Sequence, residues 1–255
     1  MGQNPKKKGT ACKSRKVYGS YPVQEHLRAA SNEVREVYLL PSLRGTLVDE
    51  LARQKEIPVH YKSRSFLDIF AQGGIHQGVA ASLFSFTYAP LQYVVERNAD
   101  LLLILDGILD PRNLGALIRT AEAVGVGGVI LPQRRSASLS PLVEKAAAGA
   151  VAYLPICQVE NLARALMVIR EAGYWLVGLA PETQRSLYDL DLSGKIALLV
   201  GGEEKGLRSL TRRHCDFLVS LPMLGKIESL NVAVAGAVAL YEFLRRKRSS
   251  GVKDS

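Results

Sequence analysis

With 255 residues, 47% of them hydrophobic, the chain is long enough for two modest domains and apolar enough to give each a core. No apolar run approaches the roughly 20 residues of a membrane span, and the basic N-terminus has no apolar segment behind it. Neither a membrane partner nor a secretory precursor is therefore expected, and the expected location is cytoplasmic. Cys12, Cys157 and Cys215 are too few and too far apart for a disulfide framework or a paired metal site, so no metal is expected.

The formal charge of +9 points to a nucleic-acid partner, and its distribution sharpens the point. Residues 1–16 carry six basic side chains and no acid, and residues 245–255 carry five basic side chains and one acid. The remainder holds 22 basic against 23 acidic residues, so the folded body is nearly neutral. Two readings of the basic ends stand side by side: arms that grip phosphates without reading sequence, or tails that aid solubility.

Along the chain, Glu36–Leu40, Ile57–Tyr61 and Gly78–Phe84 have the composition of strands. Val23–Ala30, Leu47–Gln54 and Ser65–Ala71 have helical spacing, with Ser65 as a cap. These make a small α/β unit over 17–86, after a basic flexible tail over 1–16. Residues 87–98 lack a period, contain Pro90 and are expected to be a linker. From 99 to 247 the strands become longer and greasier: Leu101–Leu105, Gly128–Leu131, Tyr153–Cys157, Tyr174–Leu179, Ile196–Val200 and Phe217–Leu221. Helical stretches at 111–124, 140–149, 161–172, 206–214 and 230–246 separate them. Near-continuous apolar strands alternating with helices predict a six-stranded parallel sheet covered on both faces, followed by a short flexible tail over 248–255.

Three segments carry chemistry. In Leu105-Asp-Gly-Ile-Leu-Asp-Pro-Arg-Asn-Leu-Gly115, Asp110 and Pro111 start a helix, and Leu114, Leu117, Ile118 and Ala121 form its apolar stripe. At 100° per residue Arg112 and Arg119 fall within about 20° of each other on the polar face, with Gly115 beside them. Two guanidiniums flanking a position without a side chain suit a phosphate or ribose; a plain solvated helix face fits the same spacing. Gly201-Gly202-Glu203-Glu204-Lys205-Gly206 is a glycine-rich turn without the Lys-Ser/Thr ending of a triphosphate loop. In Leu221-Pro-Met-Leu-Gly-Lys-Ile-Glu-Ser-Leu-Asn231, a strand ends and Ser229 opens a helix whose first residues are very small.

In this order, Asn113-x5-Arg119, Gly201-x-Glu203-x-x-Gly206 and Pro222-Met-x-Gly225-x3-Ser229-Leu-Asn231 resemble the three motifs of the SpoU/TrmH family, a branch of the knotted SPOUT methyltransferases. The resemblance covers nearly all of 100–246. Val17-Tyr-Gly19 and His76-Gln-Gly78-Val79 resemble the N-terminal ribosomal-protein-like α/β domain of the subgroup that modifies large-subunit rRNA. The resemblance implies a deep trefoil knot in the C-terminal domain and S-adenosylmethionine as methyl donor, without a metal. It implies ribose 2′-O-methylation of a guanosine, the best-known target of that subgroup, in large-subunit (23S) ribosomal RNA. It places the cofactor at Gly201, Gly206, Leu221, Met223 and Leu230. It assigns Asn113, Arg119, Glu203, Ser229 and Asn231 to the reacting end, with Arg112 and Arg119 on the RNA.

Because a guanidinium stays protonated, Arg119 is read as an electrostatic clamp rather than a base. The same resemblance implies a homodimer through the C-terminal domain, for which the small-residue run Val232–Ala239 would serve; intramolecular packing is the other use of that run. Glu204 departs from the family, where a small residue is usual, and raises the question of a left-handed backbone there. The competing functions are the same reaction on tRNA and a catalytically silent RNA-binding protein. A separate N-terminal domain favours rRNA, and the intact motif set favours an enzyme.

Overall fold

A computed structural model of the chain describes residues 14–191 and 193–251, which divide into two compact units that meet between Thr87 and Tyr88 in sequence. In the first unit β1 (Arg15–Tyr18), β2 (Val34–Leu39), β3 (Val59–Tyr61) and β4 (Val79–Leu83) form a mixed sheet in the order β1-β4-β2-β3. Only β2 and β3 run parallel. Strand alternation splits the side chains between two faces. Val17, Val37 and Leu39 bury against Val23 and Leu27 of α1 (Ser20–Ala29) and Val48 of α2 (Leu47–Gln54). Tyr18 and Ala80, on the other face, meet Leu67 of α3 (Arg64–Phe70). Ser63, rather than Ser65, caps α3 by accepting from Phe66 N at 3.3 Å; the helix starts one residue earlier than its apolar period indicates.

The second unit is built on six parallel strands in the order β10-β8-β9-β5-β6-β7. These are β5 (Leu101–Asp106), β6 (Val129–Pro132), β7 (Ile156–Val159), β8 (Tyr174–Leu179), β9 (Lys195–Gly201) and β10 (Phe217–Val219). One face packs α7 (Leu162–Glu171) through Leu166 and Ile169 onto Leu102, Ile104 and Leu176. The chain order runs outward from β5 to β7, then returns to the other side for β8, β9 and β10. The crevice beyond the carboxyl ends of adjacent β5 and β9 is therefore a switch point, where open α/β sheets place ligands.

Several expectations are corrected. The 87–98 segment is not a bare linker: α4 (Leu91–Glu96) lies in it, and Val94 is fully buried in the same core as Leu102 and Ile104. A six-residue helix with Pro90 at its cap is too short to show a period. Arg15 and Lys16 belong to β1 rather than to a tail, and the rest of that tail, 1–13, lies outside the described residues. At the other end α9 spans Val232–Gly251, so 248–251 continue a helix, and 252–255 lie outside the described residues.

Three basic residues of that end, Arg245, Arg246 and Lys247, are also engaged. Arg245 and Arg246 bond Glu242 at 2.8 and 2.7 Å, Arg246 reaches Leu187 O at 2.7 Å, and Lys247 pairs with Asp100 at 2.5 Å. Arg245 first, against the opposing effect of burial, and then Arg246 draw the Glu242 carboxyl down to about 2. Those cations are therefore not free arms. The strand read over Tyr153–Cys157 begins only at Ile156, because 150–152 form a 3-10 turn.

Gly115 is not a gap beside Arg112 and Arg119. It is buried in α5 (Pro111–Ala123) against α6 (Pro141–Ala147), where a Cβ would come 2.5 Å from Ala146 Cβ and 2.7 Å from Val143 O. The glycine lets two helices approach, and the helix then turns its two guanidiniums outward. Because backbone is in the way, Gly115→Leu is expected to destabilise the second unit by about 3 kcal/mol, read as a lower urea midpoint at unchanged slope.

Candidate active site

The site is built at the carboxyl ends of β5 and β9, where Asp106 and Gly201 are paired neighbours. Gly202 N donates to Asp106 O at 3.1 Å. A Cβ on Gly202 would lie 2.4 Å from Gly107 O, and one on Gly201 would lie 2.0 Å from the carbonyl carbon of Gly206. Both glycines are thus demanded by neighbouring backbone, Gly201 by its own loop and Gly202 by the loop after β5. The left-handed position of the loop falls on Gly206, with φ of 59°, and Glu204 is outside that region, so the family departure at Glu204 brings no backbone strain.

The loop is anchored by Asp106, to which no motif assigns a role. Asp106 is fully buried and accepts from Arg208 N at 3.0 Å and from Arg208 Nε at 2.5 Å. Arg208 caps α8 (Ser209–His214), which begins later than the 206–214 stretch suggests because Gly206, Leu207 and Arg208 complete the anchored loop. A carboxylate ending the apolar run Leu101–Leu105 was the available signal, since an acid is rarely buried without a partner.

Above this floor lies a cavity of about 540 Å³. Gly201, Glu203 and Gly206 form one wall; Leu221, Met223, Ser229, Leu230 and Asn231 form another, and Leu179 to Glu182 close it from the end of β8. β10 stops at Val219, short of the expected Leu221, because Ser220 and Leu221 leave the sheet to line the cavity. Apolar Leu179, Val200, Leu207 and Val232 alternate with main chain from the glycine loop, and Glu182, ion-paired with Arg212, stands at the polar side. Apolar walls with a few polar groups at one side suit a flat heterocycle carrying a polar chain, so the residues present fit an adenosine-type cofactor.

A continuous polar chain crosses the cavity rim. Glu203 Oε1 accepts from Asn113 Nδ2 at 2.8 Å, and Asn113 Oδ1 accepts from Asn231 Nδ2 at 3.2 Å. Asn231 Oδ1 in turn accepts from Ala233 N at 2.9 Å and Val234 N at 3.3 Å, making it the cap of α9. Ser229 does not cap, and the helix opens at Val232 rather than 230, because Ser229 and Leu230 run along the cavity wall. Glu203 also receives Leu109 N and Asp110 N at 3.4 Å each. Partial burial pushes its carboxyl up, but the Asn113 amide and these backbone donors outweigh it, and the net shift is below the ordinary range. Glu203 is accordingly a fixed anion and acceptor at neutral pH.

Of the residues singled out in sequence, Gly201, Glu203, Gly206, Leu221, Met223, Ser229, Leu230 and Asn231 line the cavity, and Asn113 joins them through two hydrogen bonds. Arg112 and Arg119 do not line it; both are exposed on α5. Gly236 of α9 sits over Leu117, where a Cβ would come 2.4 Å from Leu117 Cδ2, so one face of the small-residue run is used for packing within the chain.

The fold and this site define an α/β protein with a ligand cavity at the carboxyl edge of a six-stranded parallel sheet. A family model for the SpoU rRNA methylase family matches residues 100–241, and one for RNA 2′-O ribose methyltransferase substrate binding matches 16–89. The chain belongs to the SpoU rRNA methylase family. The 23S rRNA (guanosine-2′-O-)-methyltransferase RlmB of Pseudomonas aeruginosa is 44% identical over 240 residues, covering 91% of this chain and 96% of that protein. Its Escherichia coli counterpart is 37% identical over 242 residues, covering 92% and 99%. Among solved structures, an AdoMet-bound rRNA methyltransferase from Sinorhizobium meliloti superposes with a TM-score of 0.77 at 26% identity, covering 92% of this chain and 87% of that one.

Two outcomes follow from the geometry. Asp106→Ala leaves the Arg208 guanidinium without its buried partner and should cost about 3 kcal/mol in chemical denaturation, with cofactor affinity falling alongside. Glu203 has a depressed pKa, so its contribution is full above the ordinary carboxylate value and is lost as pH falls through the folded value. The melting-temperature gap between wild type and Glu203→Ala should therefore be widest near neutral pH and close on acidification; a constant gap would show that the carboxylate charge contributes nothing.

Proposed function

We propose that the protein transfers a methyl group from S-adenosylmethionine to the ribose 2′-oxygen of a guanosine in 23S rRNA, acting in the cytoplasm as a homodimer. The observation that carries this reading is the Glu203–Asn113–Asn231 chain at the rim of a backbone-walled cavity. It occurs in a chain that shares 44% identity over nearly its whole length with a 23S rRNA enzyme. The substrate-binding module over 16–89 supports rRNA over tRNA.

Gly201, Leu221 and Leu230 would hold the cofactor through main chain, with Met223 and Gly206 beside them. When bound, S-adenosylmethionine supplies an electrophilic methyl carbon on a sulfonium. The protein's part is then positioning and charge. Glu203, held as an anion, fixes Asn113 and through it Asn231, so the amides at the rim are oriented before substrate arrives. Arg119 makes no ion pair or hydrogen bond with any described residue, which leaves its fork available to a phosphate of the RNA. There it favours alkoxide character on the attacking oxygen, while the proton goes to water or to the RNA. Ser229, on the cavity wall, completes the reacting end. The trefoil path belongs to the same proposal: loops 201–207 and 220–231 face one cavity, and α9 returns over Leu117 of α5. The dimer would use the other face of α9, where Val234 and Tyr241 are exposed.

Incubating the purified protein with labelled cofactor and either 23S rRNA or tRNA transcripts, then mapping 2′-O-methylation, tests the assignment; label only in tRNA would overturn it. Arg119→Ala should leave cofactor affinity and melting temperature near wild type and reduce single-turnover methyl transfer by about 100-fold or more. Arg119→Lys should restore part of the rate without a steep pH dependence, since charge rather than proton acceptance is at work.

A further inference from the structure

The second unit carries a basic element that neither the motifs nor the cavity includes. It is the loop 133–140 between β6 and α6, Gln-Arg-Arg-Ser-Ala-Ser-Leu-Ser. Three loops at the carboxyl edge of the sheet touch in series. Gly202 of the cavity wall lies against Gly107 O, Gly107 lies against Arg135 O, at 3.6 Å from where its Cβ would stand, and Ala137 N donates to Ile108 O at 2.8 Å. The loop is thus fixed one step from the residues that hold Glu203, on the β6 side of β5.

Three features of this loop have no structural use. Arg134 and Arg135 are exposed and make no ion pair, hydrogen bond or ring contact with any described residue, whereas Arg170, Arg208, Arg212, Arg245 and Arg246 of the same unit are all paired. Arg135 holds φ at 59°, the left-handed region, where a side chain is strained and glycine is at ease. Ser136 Oγ is buried without a hydrogen-bond partner. Adjacent unpaired guanidiniums, a strained backbone that keeps one of them in place, and an unmet hydroxyl between them and the anchored Ala137 form a site for an anion with several acceptor oxygens.

We propose that Arg134, Arg135 and Ser136 bind the phosphodiester backbone of the substrate RNA next to the nucleotide being modified. This rests on the RNA-methyltransferase reading above and adds a second phosphate grip to the one on α5. Arg112 and Arg119 hold one stretch of backbone, and the β6–α6 loop holds its continuation across the carboxyl edge of β5 and β6. The contacts go to phosphate oxygens, so they set register and affinity, not base identity.

The test uses the full chain and an rRNA fragment transcript, with binding followed by anisotropy across a KCl series. The double variant Arg134→Ala/Arg135→Gly should lose about 10-fold or more in RNA affinity at low salt, and its log–log salt slope should flatten by about 1 to 2. KM for RNA should rise more than kcat falls. Calorimetric cofactor affinity and sedimentation should match wild type, and melting temperature should hold or rise, because glycine relieves the φ of residue 135. Ser136→Ala should keep its melting temperature while weakening RNA binding by a smaller factor. An unchanged affinity and slope would overturn the proposal, and so would a loss of binding accompanied by a lower melting temperature or an altered oligomer. Wild type that binds RNA with the slope difference intact but methylates no 23S transcript would sink the functional reading and leave the grip standing. Wild type that binds no RNA would sink both.

Discussion

The buried carboxylate of Asp106 is the interaction on which the rest of the site depends. It ends β5 at the point where β9 also ends, and it faces a loop that must reverse direction within a few residues. A carboxylate buried there is tolerable only with charge and hydrogen-bond partners, and Arg208 supplies both from the start of α8. With that pair in place, residues 202–208 follow a tight path. That path brings Gly201 onto Gly206 and Gly202 onto Gly107 so closely that a side chain at either position would displace backbone. Glu203 is then delivered to the rim, where Asn113 and two backbone donors meet it.

Helix α5 links this floor to the remainder of the domain by using three of its sides differently. Leu114, Leu117, Ile118 and Ala121 bury inward, Gly115 admits α6, and Asn113 faces Glu203 and Asn231. Arg112 and Arg119 are left exposed. The apolar contacts hold the helix, so Arg112 and Arg119 are free to serve the site. Asn231 works in a comparable double way, since one end of its amide caps α9 and the other holds Asn113. The entry of the last helix and the polar rim are therefore set by one side chain.

The N-terminal unit shows the same economy around loops. His76 Nδ1 accepts from Gly78 N at 2.9 Å, which leaves the proton on Nε2 to donate to Asp68 at 2.9 Å. Asp49 accepts from Gly45 N, Tyr61 and Arg53 and so fixes the turn before α2. The His76-Gln-Gly78 motif thus orders the turn that leads into β4, the strand on which β1 and β2 both pair.

Periodicity and composition determined a great deal. The six apolar runs and the stripe on α5 are local patterns of burial, and Leu47–Gln54 and Tyr174–Leu179 match their helix and strand to the residue. The three motifs also marked most of the cavity wall, because glycine, amide and carboxylate at fixed spacing in loops have few structural uses. What sequence could not decide was which partner each of those residues meets. Gly115 read as a gap beside two arginines until α6 filled it; Ser229 read as a cap until Asn231 took that place; Arg245 and Arg246 read as free charge until Glu242 paired them. Asp106 stood inside the first motif-bearing segment without a role of its own, and the β6–α6 loop lay outside all three segments. In each case the deciding contact joins side chains to groups whose approach is set by helix packing and strand order, and neither leaves a periodic trace in the chain.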